Sequence, residues 1–219
     1  KLAIKRDYKR RLCQIYTILG AYYWFVEDNY PEIFKAFEEA LKISEEVGDI
    51  ISLVLASSWC GYALGYNCEF EKSIKYLQRA VDINVAAKNS WGIAITKSNL
   101  AYHSYWPHGK IDLQFKTSNE GLQIAEESAD IYSKAIAYTS HGTSCYGKGL
   151  LEEAEKYLLK GLEFCEKINF LAWIAVAQFH LGEIYFEMGD FLKSKEFYKK
   201  GIWVSTSNRL FPSWAGVGK

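Results

Sequence analysis

A recurrence of about 40 residues constrains the fold of this chain more than any other feature. A small residue followed by an aliphatic one returns every 40 or 41 residues, at the anchors Ala40, Ala80, Gly121, Gly161 and Gly201. Twelve residues before these anchors stand turn-forming or small residues, namely Asp28, Cys68, Gly109, Gly149 and Gly189. A fixed period of this length indicates an array of equal structural units.

Each unit has the pattern of two amphipathic helices joined by a tight turn. Leu181 to Ile202 shows it clearly, with Met188-Gly189-Asp190 as the turn. Strand-like alternation is absent, and only 3 prolines interrupt the chain. One such helix pair cannot bury its apolar face alone, so neighbouring units must stack. The sequence therefore predicts an all-α fold.

Charge and cysteine content narrow the classes of partner and compartment. Lys+Arg 26 balances Asp+Glu 26, whereas binding to nucleic acid or an anionic membrane needs a basic surface. Five cysteines, an odd number without a CxxC pair, favour a reducing compartment over a disulfide framework. The apolar run at 12–26 is too short and too polar to cross a bilayer. We therefore expect a cytoplasmic protein with neither nucleic-acid nor membrane partners.

The repeating residues resemble the tetratricopeptide repeat (TPR). Its Leu-Gly-x2-Tyr and Ala-x3-Phe pattern is nearly met by Leu181-Gly182-x2-Tyr185 and Ser194-x3-Tyr198. The long period resembles helical sensor regions of bacterial signalling ATPases, maltose-activator-type regulators and cyclase-linked proteins. The resemblance implies a single right-handed superhelical solenoid over 1–219, built of antiparallel helix pairs. Its five repeats are expected at about 10–49, 50–89, 90–130, 131–169 and 170–208, with a partial repeat at 209–219.

Two departures from the pattern carry expectations of their own. Nineteen residues before the anchors stand Ala21, Gly61, Tyr102, Gly142 and Gly182, so a bulky Tyr102 occupies the usual small position. It predicts a locally splayed or re-angled third unit. Residues 1–9 are expected to finish a preceding helix and 209–219 to begin a sixth unit, which indicates a fragment of a longer protein.

The resemblance implies that the first helix of each pair lines a concave groove. Residues spaced three, four and three apart along a helix share one face. Within the first helices this face carries aromatic residues near the turn and a few polar groups, as a binding site requires. The predicted groove residues are Tyr22, Phe25, Tyr62, Tyr66, Asn99, His103, Trp106, Thr139, Tyr146, Phe179, Glu183 and Phe186. An alternative is that these side chains pack against neighbouring helices.

No candidate catalytic or metal site emerges from the sequence. His141 and Cys145 share one helix face, but both fall on the predicted core side, where a thiol is inert. His180 is expected to be structural, and His103 and His108 lack carboxylate or thiolate neighbours for a metal. We therefore predict a non-enzymatic chain without cofactor.

Three functions are compatible with these features. The leading hypothesis is an interaction module that binds a protein or peptide segment, or other domains of the same chain, in the aromatic groove. The alternative is a small-molecule, sugar-like sensor domain of a signalling ATPase, cyclase or transcription regulator. A third possibility is self-association through the ends of the array.

Overall fold

The computed structural model describes residues 8–208, apart from the side chain of Phe25. This part of the chain consists of helices and turns, arranged as five antiparallel helix pairs. We number the helices α1 Lys9–Tyr22, α2 Tyr30–Val47, α3 Ile50–Tyr66, α4 Phe70–Ala86, α5 Ser90–Leu100, α6 Ile111–Glu127, α7 Ile131–Gly147, α8 Leu151–Lys167, α9 Leu171–Glu187 and α10 Phe191–Ser207. Two π-helical turns, π1 Tyr23–Glu27 and π2 Ala101–Tyr105, extend α1 and α5.

The turns within the pairs lie where the period predicts them. All five residues twelve positions before the anchors have positive φ, including the non-glycine residues Asp28 (51°) and Cys68 (60°). A left-handed residue ends a helix because it allows the chain to reverse. At two of these turns, the side chains of Asn29 and Asp190 accept a backbone N–H of the following helix, and Asn89 and Asp130 do the same at connections between pairs.

Small residues let the two helices of a pair approach each other. A Cβ on Gly61 would lie 2.6 Å from the side chain of Leu77, and one on Gly142 would lie 2.7 Å from that of Leu158. Leu77 and Leu158 are themselves fully buried. A small residue at these two positions is therefore required for close packing of the pair.

The two π-helical turns correct the alignment of repeats one and three. A Cβ on Gly20 would lie 2.5 Å from the Phe37 ring, so Gly20, rather than the aligned Ala21, is the close-contact residue. A π-bulge accommodates one extra residue within an α-helix. In repeat three Ala101 is fully buried one position before Tyr102, and the N–H of Trp106 donates to the carbonyl of Ala101 at 3.0 Å.

Tyr102 is thus the inserted residue of repeat three, and the 41-residue interval between Ala80 and Gly121 records it. The third unit was predicted to splay because a bulky residue seemed to replace a small one. The structure shows a π-helical turn instead, and α5 stays packed against α6. The insertion in repeat one precedes the first anchor, so no interval between anchors could reveal it.

The five pairs stack into a right-handed superhelical solenoid. First helices contact the first helices of neighbouring repeats: α1 packs against α3, α5 against α7, and α7 against α9. These helices therefore form the inner layer. Within 8–208, none of the helices is both long and apolar enough to cross a bilayer. The predicted end segments, 1–9 for the most part and 209–219, lie outside the described residues.

Candidate functional site

The inner side of repeats one and two exposes apolar side chains. On α1, Ile15, Ile18 and Tyr22 are exposed, and on α3 Ile51 and Leu55 are exposed. We call these five residues the open segment. Of the predicted groove residues, Tyr22 belongs to it, whereas the side chain of Phe25 is not described. The open segment is solvent-accessible apolar surface on two helices that pack against each other.

Tyr62 and Tyr66 continue the inner surface of α3 toward repeat three. Both are half-buried. The ring of Tyr62 lies 4.4 Å from that of His103 and 5.7 Å from that of Trp59. Burial raises the pKa of its hydroxyl, and the side chains of Ser58 and Asn99 partly offset this rise. Asn99, which was predicted to line the groove, is buried, and its side chain lies near the Tyr62 hydroxyl.

A pocket of about 210 Å³ opens beside these rings at repeat three. Its walls come from the end of α3, from π2 and from the turn that follows, namely Gly65, Tyr66, Tyr102, His103, Trp106 and Pro107. Gly65 permits the close approach, because a Cβ there would lie 2.2 Å from the backbone oxygen of His103. Four of the six lining residues carry aromatic rings, and none carries a formal charge at neutral pH.

His103 is the one titratable nitrogen base among the residues that line this pocket. Its Nδ1 is buried and has no hydrogen-bond partner among the described residues. Burial lowers the pKa of the imidazole to about 3, so the ring is neutral near pH 7. A neutral imidazole with an unpaired nitrogen can form one hydrogen bond with a ligand, as donor or as acceptor according to its tautomer.

The inner side of repeats four and five is closed rather than open. Tyr102, on π2, lies 5.2 Å from the Trp173 ring and 5.9 Å from the His180 ring, both on α9. Its hydroxyl lies 3.4 Å from Nε2 of His180. First helices two repeats apart therefore meet, and Thr143 on the intervening α7 is fully buried.

Several predicted groove residues have other surroundings. Thr139 is fully buried and would crowd any Cβ on Gly161 of α8, with its hydroxyl 2.4 Å from that position, so it fills space between α7 and α8. Phe179 packs in the same way against Gly201 and Tyr198 of α10. These two residues contact the second helix of their own pair, and their place in the groove stays a prediction.

The remaining predicted residues surround the closed region. Trp106 and Tyr146 are half-buried, with ring centroids 6.1 Å apart. Glu183 accepts a hydrogen bond from His180, with its Oε2 2.6 Å from Nδ1. Phe186 is exposed and contacts Phe191 at 5.4 Å.

Sequence reasoning missed Tyr102, Trp173 and His180 as partners in one aromatic cluster. His180 was expected to be structural, yet it also lies 6.1 Å from the ring of Trp106. Trp173 and His180 are seven residues apart, so they share a helix face one step from the predicted stripe. That spacing was the available signal.

His141 and Cys145 lie in the core, as predicted. Nδ1 of His141 is 3.0 Å from Oγ of Ser118, and its ring packs between those of Phe115 and Tyr157. Burial lowers the pKa of His141 to about 4 and raises that of Cys145 to about 11. Both groups are therefore neutral near pH 7, unlike an activated thiolate and its base. Within 8–208, no group of three or more His, Cys, Asp or Glu side chains could hold a metal ion.

Comparison with known proteins identifies the repeat type. The family model described as tetratricopeptide repeat matches residues 175–202. No curated protein matches the chain by sequence.

Solved structures match most of the chain. One is a Rap protein complexed with competence and sporulation factor, at 22% identity and a TM-score of 0.74, covering 87% of this chain and 53% of that one. Aspartyl phosphate phosphatase F from Bacillus subtilis matches at 17% and 0.66, with 94% and 54% covered. A signal transduction ATPase with numerous domains, whose sensor is a tetratricopeptide repeat, from Pyrococcus horikoshii matches at 18% and 0.63, with 93% and 32% covered.

This chain thus spans about half the length of the Rap protein and of the phosphatase, and about a third of the ATPase. At these identities the likeness concerns the fold. Together with the matched repeat and the five stacked helix pairs, it identifies the architecture. The chain has a helical-repeat fold similar to that of tetratricopeptide-repeat structures, a right-handed solenoid with π-helical turns in its first and third repeats, and residues 175–202 match the repeat itself.

Proposed function

We propose that this chain binds a peptide or protein segment along the inner face of repeats one to three. The observation that carries the proposal is the exposed apolar surface of the open segment, which leads through Tyr62 and Tyr66 to the pocket at repeat three. Contiguous exposed apolar surface is a property of interaction sites. The chain is assigned a scaffolding role and no catalytic one.

Apolar contact is the main source of affinity in this proposal. Full burial of an exposed aliphatic or aromatic side chain contributes about 1.5–3 kcal/mol. The side chains of the open segment are 42–74% exposed, so each contributes a part of that. Ordering the backbone of a bound peptide costs about 1–2 kcal/mol per residue, so several such contacts are needed together. The open segment supplies five of them, and the pocket adds a place for one ligand side chain.

Charge and polarity support this choice of ligand. The pocket-lining residues include no lysine or arginine, so they favour neither a phosphate nor a carboxylate. The unpaired Nδ1 of His103 offers one directed hydrogen bond within an otherwise aromatic wall. A site of this kind selects ligands by apolar shape and by one polar contact.

Two of the similar structures come from proteins whose names point to interaction or sensing. One was solved with competence and sporulation factor bound, and the other has a repeat sensor within a larger ATPase. This chain shares their fold and about half or a third of their length. The likeness motivates the proposal, and the site described above gives it residues.

Peptide selection provides the direct test. A phage-displayed library of random heptapeptides is selected on the immobilised chain, and affinities of recovered peptides are measured by fluorescence polarisation. We expect Tyr22→Ala and Trp106→Ala each to weaken binding at least tenfold. Trp203→Ala is the control, because Trp203 is a large, exposed aromatic residue that lies on a second helix, α10. Recovered peptides that bind both groove variants at unchanged affinity would contradict the proposal.

A small-molecule ligand is the second candidate function, and the pocket itself favours it. Its volume of about 210 Å³ and its aromatic walls suit one planar or sugar-like group, with the imidazole of His103 as hydrogen-bond partner. A thermal-shift screen of a metabolite library distinguishes the two, since a ligand at 100 times its Kd adds about 2.7 kcal/mol of stability. A hit that Trp106→Ala removes, in a protein that selects no peptide, would favour the sensor function.

A further inference from the structure

The apolar side chains of the inner face change from exposed to buried at Tyr102. On one side of it, in repeats one and two, the open segment is exposed; on the other, Ile136 and Val176 of the first helices are buried. Tyr102 is also the one residue by which repeat three exceeds the 40-residue period. The inserted residue therefore lies where the inner face changes from exposed to buried.

The insertion explains how a tyrosine reaches across the groove. In an unbroken α-helix, consecutive side chains are rotated by about 100° around the axis, which fixes the direction of the residue after the small position. The π-helical turn changes that direction, and the ring of Tyr102 contacts those of Trp173 and His180 on α9. On the intervening α7, Thr143 and Ser144 are small and fully buried, and the hydroxyl of Ser140 donates to the carbonyl of Ser98 on α5.

We infer that Tyr102 determines specificity by closing the groove over repeat four. It confines a ligand to the surface between the open segment and the pocket, where Tyr102 itself is one wall. This inference rests on the proposed function for its ligand, but the closure it describes is a property of the free protein.

The closure also limits ligand length. Axes of packed helices are about 8–10 Å apart, so the path from α1 over α3 to π2 is about 20 Å. An extended peptide rises about 3.3 Å per residue, so about six residues fill that path. The ligand class is therefore a short, extended, predominantly apolar peptide with one side chain seated against Tyr102.

Thiol labelling tests the closure without any ligand. Thr143→Cys is introduced together with Cys68→Ser, because Cys68 is the exposed cysteine among the five, whereas the other four are buried. The reagent is 5,5′-dithiobis(2-nitrobenzoic acid). We expect Cys at position 143 to react at least tenfold faster in a Tyr102→Ala background than with Tyr102 intact, and Tyr102→Phe to keep it slow.

Two controls make the labelling decisive. Cys68→Ser with Tyr102→Ala but without the new cysteine reports any general loosening, since it can react only at the four buried thiols. If position 143 reacts equally fast with and without the Tyr102 ring, after subtraction of this control, the closure does not exist. A rate difference as large in Tyr102→Phe as in Tyr102→Ala would assign the closure to the hydroxyl and overturn a role for the ring.

A matched pair of variants then separates the closure from the proposed function. Tyr22 and Phe186 are both exposed aromatics of first helices, one on each side of Tyr102. For a heptapeptide selected on the chain, we expect Tyr22→Ala to weaken binding at least tenfold and Phe186→Ala to change it less than twofold. Equal losses would refute the confinement while preserving the groove, and no loss in either would refute the groove.

Discussion

Leu55 and Ile136 occupy the same position in their repeats, 25 residues before Ala80 and Gly161, yet their surroundings are opposite. Leu55 is 47% exposed, whereas Ile136 is 2% exposed. Both lie on first helices. We attribute the difference to the other side of the groove, where aromatic side chains of π2, of the turn after it and of α9 meet across α7. In a repeat array, the same position can therefore belong to a binding surface or to the core.

The largest expected effect is the difference in unfolding free energy between truncation of Ile136 and truncation of Leu55. Ile136→Ala removes a fully packed side chain and should cost about 3 kcal/mol of unfolding free energy. Leu55→Ala removes a half-exposed one and should cost less than about 1 kcal/mol. Thermal denaturation checks the pair, since 1 kcal/mol shifts Tm by about 2–4 °C in a chain of this size. Equal shifts would mean that the open segment is packed in solution.

Gly65 marks the boundary between the two regions and gives the next effect. A Cβ at this position would lie 2.2 Å from the carbonyl oxygen of His103, and a backbone atom cannot rotate away. Gly65→Ala should therefore cost about 1–3 kcal/mol and displace π2 from α3.

The control for Gly65→Ala is Gly48→Asn, because Gly48 has positive φ but no atom within 4 Å of its added Cβ. The near-ultraviolet circular dichroism of the aromatic cluster should change in the first variant and not in the second. Unchanged spectra and stability in Gly65→Ala would show that α3 and π2 are farther apart than described.

Acid should destabilise the folded chain. The folded state holds the pKa of His103 at about 3 and that of His141 at about 4. Both lie below the value of about 6.5 in an unfolded chain, so protons bind the unfolded state first as the pH falls. Each buried imidazole should therefore cost up to about 1.4 kcal/mol per pH unit below pH 6.5, until the pH reaches its folded pKa.

Urea denaturation between pH 7 and pH 4.5 measures this slope. His103→Phe should reduce the pH dependence by about the share of one imidazole and leave that of His141. His141→Phe is the parallel variant, and it should remove a similar share. A slope that neither variant changes would assign acid sensitivity to other groups.

The smallest effect on stability is expected within the open segment. Ile18 is 68% exposed, so Ile18→Asn should change the unfolding free energy by less than about 0.5 kcal/mol. The same variant should reduce binding of the apolar dye 1-anilinonaphthalene-8-sulfonate, which reports exposed hydrophobic surface. Leu192→Asn on α10, where Leu192 is 83% exposed, shows how much an isolated apolar residue contributes.

The period of the sequence was enough to predict the helix pairs and their turns. Residues such as Cys68 and Gly109 stand at equal distances from the anchors, and a left-handed turn is a local property of the chain. The recurring small residues Gly61 and Gly142 likewise marked positions of close packing, because close approach of two helices excludes a side chain.

The groove was predicted less completely, for two physical reasons. A glycine at an anchor leaves a gap on the second helix, and the first-helix residue 22 positions earlier fills it; this is why Thr139 and Phe179 pack inward. The meeting of Tyr102 with Trp173 depends on the curvature of the whole solenoid. No local pattern contains that curvature, so the pairing could not be derived from spacing.

The π-helical turn at Ala101–Tyr105 also bears on how such a surface can be acquired. A single inserted codon within a helix would normally rotate everything beyond it and separate the helix from its neighbours. Here the extra residue is absorbed within about one turn, and the helices on both sides keep their partners. Repeat arrays can therefore gain or lose a groove-spanning side chain through one insertion or deletion, a genetic step that comparisons confined to substitutions would overlook.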